Sequence, residues 1–269
     1  MIYILDLRGR DIGGPVLPGR LIEEKEDQLR LEPKVTFLLH GFNVNRKKGA
    51  ASVSRVGEPL CSQVTHGAMV AVLWPGDHWV RPLSYPFEGN DADDSAAELA
   101  RYIDRVIPPS VELRFVSHSL GARVVMETVS RLDTRRHPVR QICLLAPAID
   151  DFSLANPCDY RKAVVSAKRT AVLASRKDTV LGKIYPIGDL LQAFIYWSKD
   201  RRGSALGFNG PIPFKEQPIH DQVYHAQIPD ERCAGHSDYI PDTSANPNQL
   251  SAVKFAGEIL QEAAAPKYS

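Results

Sequence analysis

Residues Val111–Val125 read VELRFVSHSLGARVV, and the reading of this stretch sets the frame for the rest of the chain. Val111–Val116 has the apolar, β-favouring content of a strand, whereas Leu120–Leu132 carries the three- and four-residue apolar spacing of an amphipathic helix. Only Ser117-His118-Ser119 is left to turn one into the other. A strand that passes so abruptly into a helix is the first half of a βαβ unit, whose next strand lies parallel to the first.

The same alternation extends in both directions. Strand-length apolar runs occur at Val35–Leu39, Ala68–Leu73, Gln141–Leu145, Thr170–Ala174 and Val223–Ile228. Several are apolar almost throughout, as parallel strands covered on both faces must be. Lys47–Leu60, Asp93–Val106 and Pro247–Ala264 are amphipathic; in the second, Ala96, Leu99, Ala100, Ile103 and Val106 share a side that Glu98, Arg101 and Arg105 avoid. This order predicts an α/β fold, a mostly parallel, doubly wound sheet with helices on both faces. Met1–Leu7 reads as a further strand, and the charged stretch Leu21–Leu31 as either an edge strand or a short helix. Gly207, Gly210, Pro211 and Pro213 mark Arg201–Gln217 as a long surface loop, and the apolar Ile187–Trp197 before it as a helix over the core or a pocket mouth. No linker or shift in composition divides the chain, so residues 1–269 are expected to form a single domain.

Composition removes several function classes. With 43% hydrophobic and 24% charged residues, the chain is neither disordered nor collagenous. A chain of this length buries roughly 70–75% of its extended surface, enough to fold without a metal or disulfide. The net charge of +1 leaves no footprint for nucleic acid, and Arg46-Lys47-Lys48 and Arg135-Arg136 read as solvated surface. Cys61, Cys143, Cys158 and Cys233 contain no Cys-x-x-Cys pair, which removes the signature of zinc ribbons, iron–sulfur sites and thioredoxin-like chemistry but leaves disulfides open. A Gly-rich dinucleotide fingerprint and a P-loop lysine motif are both missing. No apolar run reaches the roughly 20 residues of a membrane helix. The opening MIYILDLRGR lacks a positively charged leader, so the expectation is a cytoplasmic protein without a transmembrane segment.

The strand-to-helix turn is where chemistry is expected. In a G-x-S-x-G elbow, small residues two places either side of a serine let strand and helix approach closely and lift the hydroxyl above the sheet. Here Ser117 replaces the first glycine and Gly121 supplies the second, which makes Ser119 a candidate nucleophile; the alternative is a serine that caps the helix. Val35–Leu39 runs into His40-Gly41-Phe42-Asn43, where the Phe42 N–H could face that of Leu120 across a developing oxyanion. His40 is expected to shape this loop rather than move protons. A serine needs a histidine base, and the base an acid to hold its tautomer. Asp178, a few residues past a buried-type strand, is the favoured acid over Asp150 and Asp151. Among eight histidines, His66, His78 and His137 sit in other loops, His118 is too close to Ser119 to reach around, and His220 and His225 flank or occupy the last strand. His236 follows that strand and can fold back over the sheet edge. The order Ser119, Asp178, His236 is nucleophile, acid, base.

Six blocks then carry a resemblance. Leu39-His40-Gly41-Phe42-Asn43, Leu73-Trp74-Pro75-Gly76, Ser117–Gly121, Leu144-Leu145-Ala146-Pro147-Ala148, Ser175–Leu181 and Gly235-His236-Ser237-Asp238-Tyr239 follow, in order, the family patterns HGYN, FSWPS, AHSMG, LLAPD, SxxDxxL and GHSxY. The chain thus resembles the α/β-hydrolase superfamily, and within it the compact bacterial esterase/lipase-like branch, over about residues 35–240. The resemblance implies a Ser119–Asp178–His236 triad, Phe42 and Leu120 as oxyanion donors, and no metal or organic cofactor. It also implies a small or absent cap, since no long insertion follows Gln141–Leu145. Phe42 stands where tyrosine is common and Ala148 where many relatives have aspartate; neither change removes a catalytic group.

The expected activity is hydrolysis of an uncharged small-molecule carboxylic ester, with Trp74, Trp79, Tyr85 and Phe87, and the segment Ile187–Phe208, as candidate pocket walls. Lipase, thioesterase and acyltransferase reactions use the same machinery. The rival from another class is a non-catalytic binding protein on the hydrolase fold, which a buried Ser119 or a His236 pointing away would favour. Oligomeric state is not legible.

Overall fold

A computed structural model describes residues 2–10, 14–23, 25–42, 45–64, 67–76, 88–184, 204–242, 246–264 and 266–268. Among the described residues eight strands form one sheet: β1 (Ile2–Arg8), β2 (Val16–Leu21), β3 (Lys34–Leu39), β4 (Ala68–Leu73), β5 (Glu112–His118), β6 (Val139–Leu145), β7 (Ala167–Ala174) and β8 (Val223–Gln227). Their order is β2-β1-β4-β3-β5-β6-β7-β8. Every neighbouring pair is parallel except β1 with β2. The expected doubly wound sheet is therefore present.

Seven α-helices accompany it among the described residues: α1 (Glu26–Leu29), α2 (Arg46–Gln63), α3 (Glu88–Val106), α4 (Gly121–Arg131), α5 (Arg161–Ser166), α6 (Leu206–Asn209) and α7 (Pro247–Leu260). The side-chain period of two explains the two layers. Phe37, Val70, Phe115 and Leu144 pack under α3 and α4 on one face, whereas Leu38, Ala71, Val116 and Leu145 pack under α2 and α7 on the other. Helix α7 opens on a capping box, Asn246 with Gln249, and has proline in its first turn.

The winding places the site. From β3 the chain moves outward to β4; from β5 it moves the other way through β6, β7 and β8. The direction reverses between β3 and β5, and loops leaving the carboxyl ends of two such strands diverge and open a crevice. Those loops begin at His40 and at Ser119.

Two segments differ from expectation. The antiparallel edge strand is Val16–Leu21, upstream of the stretch expected to hold it, and only one helical turn, α1, lies within Leu21–Leu31. Pro18-Gly19 reads as a turn, yet an edge strand tolerates both. Gly19 is bonded sideways to α3: its N–H donates to Glu98 Oε1 (3.0 Å), and its carbonyl accepts from Arg105 Nη2 (2.8 Å).

The second is the glycine- and proline-rich tract, whose described part, residues 204–217, is not a surface loop throughout. Ala205 and Leu206 are fully buried. Leu206 N–H donates to the Ile149 carbonyl, Gly207 N–H to that of Pro147, and Ser175 N–H to that of Gly207. Small residues let the main chain itself fill the gap between the ends of β6 and β7. A Cβ on Gly207 would stand 2.5 Å from the Ala146 carbonyl carbon. Ile187–Trp197 lies outside the described residues.

All four cysteines are free thiols. Among the described residues no helix is long and apolar enough to cross a membrane.

Candidate active site

Ser119 sits between β5 and α4 with φ +54°, a left-handed conformation that is costly for a residue with a side chain. Its surroundings hold it there. Ser119 N–H donates to the Leu145 carbonyl (3.0 Å), and its own carbonyl accepts from Ala122 (3.1 Å) and Ala148 (3.1 Å). The end of β6 thus grips the turn from outside, and the first turn of α4 grips it from within.

The turn is also pressed against the end of β3. A Cβ on Gly121 would lie 2.6 Å from the His40 carbonyl oxygen, and one on Gly41 would lie 2.9 Å from Ser119 Cβ. Real Cβ atoms do not approach so closely, so glycine is required at both positions. Gly121→Ala forces backbone against backbone and is expected to cost about 1–3 kcal/mol, lowering the melting temperature by roughly 3–10 °C, measurable by calorimetry.

His40 and Trp74 fix the other side. His40 is fully buried, its Nδ1–H donates to the Gly41 carbonyl (2.8 Å), and its ring stacks on Trp74 at 5.6 Å. Trp74 Nε1–H donates to the His40 carbonyl (2.9 Å). His40 accordingly shapes the loop. Trp74 is buried against it rather than exposed along a pocket, and Trp79, Tyr85 and Phe87 lie outside the described residues.

Asp178 and His236 arrive from two further strand ends. Asp178 follows β7 and is completely buried; its Oδ1 accepts from Leu181 N–H (3.0 Å) at the start of the π-helical turn Val180–Ile184. Ser175 Oγ–H donates to the Ala234 carbonyl (2.7 Å), tying this loop to the one that carries His236. Asp238 braces the second loop by accepting from Gly235 N–H (2.8 Å) and Asn246 Nδ2 (2.8 Å).

Between the loops, His236 Nδ1 lies 2.7 Å from Asp178 Oδ2 and its Nε2 lies 2.9 Å from Ser119 Oγ. A carboxylate can only accept, so Nδ1 carries the hydrogen; Nε2 then presents its lone pair to the Ser119 hydroxyl. The three candidate side chains therefore form one hydrogen-bonded chain. Ser119 is 7% exposed.

The other candidates stand elsewhere. Asp151 is buried, which raises its carboxyl pKa, and it accepts from Asn209 Nδ2 (3.4 Å). His137 lies against Asp104, and the His225 ring lies against Gly210. His66 and His78 are outside the described residues. Leu120 N–H, one of the two expected oxyanion donors, has no acceptor among the described residues. The other, Phe42, follows Gly41 directly against Ser119, its ring packed on the core.

His118 has a part that its place beside Ser119 does not reveal. Its Nε2–H donates to the His236 carbonyl (2.9 Å), and the two rings lie 4.8 Å apart. Burial, followed by the neighbouring His236, pushes its pKa from 6.5 down to about 3. It is therefore neutral at physiological pH and acts as a fixed donor. In an unfolded chain the same imidazole protonates near 6.5, so the unfolded state binds more protons between these values and stability falls as the pH is lowered through that range. His118→Gln, which keeps a donor but does not titrate, is expected to flatten the fall of the urea midpoint between pH 6.5 and 4.

Comparison with known proteins defines the family. The chain belongs to the family of α/β hydrolases of unknown function (DUF900), whose family model matches residues 23–186. The sheet order and its helices on both faces are those of an α/β-hydrolase fold. No curated protein matches the sequence. Among solved structures, an esterase of Pyrococcus furiosus is similar at 13% identity, covering 87% of this chain and 83% of its own, with a TM-score of 0.44. Carboxyl esterase 2 of Tuber melanosporum is similar at 11% identity, covering 98% and 88%, with a TM-score of 0.48. Likeness at this level bears on neither substrate nor mechanism.

Proposed function

We propose that this chain is a serine hydrolase that cleaves carboxylic esters of small molecules through an acyl-enzyme. The observation that carries the reading is the 2.9 Å contact between His236 Nε2 and Ser119 Oγ, with Asp178 behind the imidazole at 2.7 Å. A neutral serine hydroxyl is a weak nucleophile; a base held on its proton, with an acid held on that base, lowers the barrier to its attack by taking the proton as the new bond forms.

In the first step Ser119 Oγ attacks the ester carbonyl carbon while its proton passes to His236 Nε2. The carbonyl oxygen becomes an oxyanion, which the N–H groups of Leu120 and Phe42 receive. As the intermediate collapses, His236 gives that proton to the alkoxide oxygen and the carbon–oxygen bond to the alcohol breaks. In the second step His236 takes a proton from water, the hydroxide oxygen attacks the acyl carbon, and Ser119 recovers its proton as the carboxylic acid leaves. Every group in this sequence is a side chain or amide of this chain. Asp178 remains a carboxylate, orienting His236 and stabilising its imidazolium.

A second reading, a non-catalytic protein on the hydrolase fold, draws on the 7% exposure of Ser119. Turnover separates the two. A series of p-nitrophenyl esters from acetate to octanoate is expected to give saturable hydrolysis that His236→Ala lowers by about 10⁴-fold or more. Hydrolysis at an equal rate in that variant would assign the activity to another site, and no hydrolysis of any ester would favour the binding reading.

A further inference from the structure

Two loops meet at Ser119, one carrying the proposed base and the other a proposed oxyanion donor, and one imidazole touches both. His118 is the last residue of β5 and directly precedes Ser119. Its Nε2–H donates to the carbonyl of His236 itself (2.9 Å). At its Nδ1 edge the ring lies against the other loop, where a Cβ on Gly41 would stand 3.1 Å away. The ring of His236, at 4.8 Å, and that of the completely buried Tyr239, at 6.1 Å, neighbour it as well.

The base loop has other anchors, and they run elsewhere. Ser175 Oγ–H donates to the Ala234 carbonyl, which ties the loop to the end of β7. Asp238 accepts from Asn246 Nδ2, which ties it to the start of α7. Asp178 orients the His236 imidazole from the β7 side. The His118 bond runs instead to β5, the strand that presents Ser119. Two consecutive residues therefore grip His236 at two points: the His118 side chain holds its main chain, and the Ser119 hydroxyl meets its imidazole at 2.9 Å. The second contact, a single hydrogen bond worth about 1 kcal/mol, is too weak to hold a loop in register by itself. A shift of about 1 Å would carry Nε2 beyond hydrogen-bonding reach of Ser119 Oγ. His118 also suits the task electrically. Buried and neutral, it donates without placing a charge beside an imidazole that becomes positive as it takes the serine proton.

We propose that His118 is a positioning residue for ester cleavage: its bond to the His236 carbonyl and its packing against Gly41 set the distance of the base and of the oxyanion loop from Ser119. This role rests on the serine-hydrolase function proposed above and adds to it a residue outside the triad.

The test compares three replacements in the full chain. Glutamine brings an NH₂ to the place of Nε2, asparagine carries the same amide one methylene short, and leucine fills the space without a donor. With p-nitrophenyl esters, His118→Leu and His118→Asn are expected to lower kcat about 10–100-fold with KM changed by less than about twofold, the cost of a misplaced base. His118→Gln is expected to keep kcat within about fivefold of the wild type. Asparagine and glutamine are smaller than histidine, so they leave a readable protein if the leucine variant does not fold. A second readout needs no turnover. The Nδ1–H that His236 donates to Asp178 gives a downfield proton NMR resonance, expected in the wild type and His118→Gln and broadened or lost in His118→Leu and His118→Asn. A kcat within about twofold of wild type in the leucine and asparagine variants, or equal impairment of all three, would overturn the positioning role and leave ester cleavage in place. A wild type that cleaves no ester would instead sink the hydrolase function; a His236 resonance unchanged in His118→Leu and His118→Asn would then overturn the positioning role as well.

Discussion

Under the proposed mechanism, Ser119→Ala is expected to lower kcat/KM for a p-nitrophenyl ester by about 10⁴–10⁶-fold, because the atom lost is the one assigned to form the acyl bond. The fold should barely notice. Alanine keeps the Cβ that the positive φ at this position already accommodates, and the side chain gives up one hydrogen bond, to His236. Losing one bond worth about 1 kcal/mol predicts a melting shift of only about 2–4 °C. A collapse of activity at nearly constant stability is what separates a nucleophile from a helix-capping serine, whose removal would move stability and leave any turnover in place.

Asp178→Asn carries the next largest effect. The buried carboxylate accepts from His236 on one oxygen and from the Leu181 amide on the other, so asparagine fits the space with little change in shape. If its oxygen keeps the Leu181 bond, its NH₂ faces His236 Nδ1 and forces the hydrogen onto Nε2. The lone pair then points away from Ser119, and the hydroxyl loses its base. A fall in kcat of about 10⁴-fold with little change in KM is expected, the size seen when this tautomer is reversed in a comparable triad. A loss confined to KM would mean that Asp178 serves substrate binding instead.

The parts of the fold that were legible in the sequence are those where one local pattern has one physical outcome. The carboxyl-end halves of strands β3 to β7 are apolar on both faces because helices cover both, and that composition is visible residue by residue. The Ser117–Gly121 turn was legible because only small residues allow so close a contact with β3; Ser117, 1% exposed, does what a first glycine would do. The order Ser119, Asp178, His236 was legible once each could be placed after a strand of a parallel sheet, since all such strand ends lie on one edge.

What stayed hidden depends on contacts far apart in sequence or on backbone filling space. His118 reaches a carbonyl 118 residues away, and nothing next to it marks that partner. The stacking of His40 on Trp74 joins two strand ends, although both residues stand in recognisable blocks. Residues 204–210 carry the composition of an exposed loop because glycine and alanine suit a buried main chain as well as a mobile one. Pro18-Gly19 hid an edge strand for the same reason: one composition, two outcomes.

If His236 makes the Ser119 hydroxyl reactive, a fluorophosphonate will label that oxygen covalently. Trypsin should release Phe115–Arg123, which contains both Ser117 and Ser119. One adduct per chain, carried on Ser119 by fragmentation of that peptide and missing from His236→Ala, is the predicted result. An unlabelled protein that hydrolyses esters, or an adduct on any other residue, would contradict it.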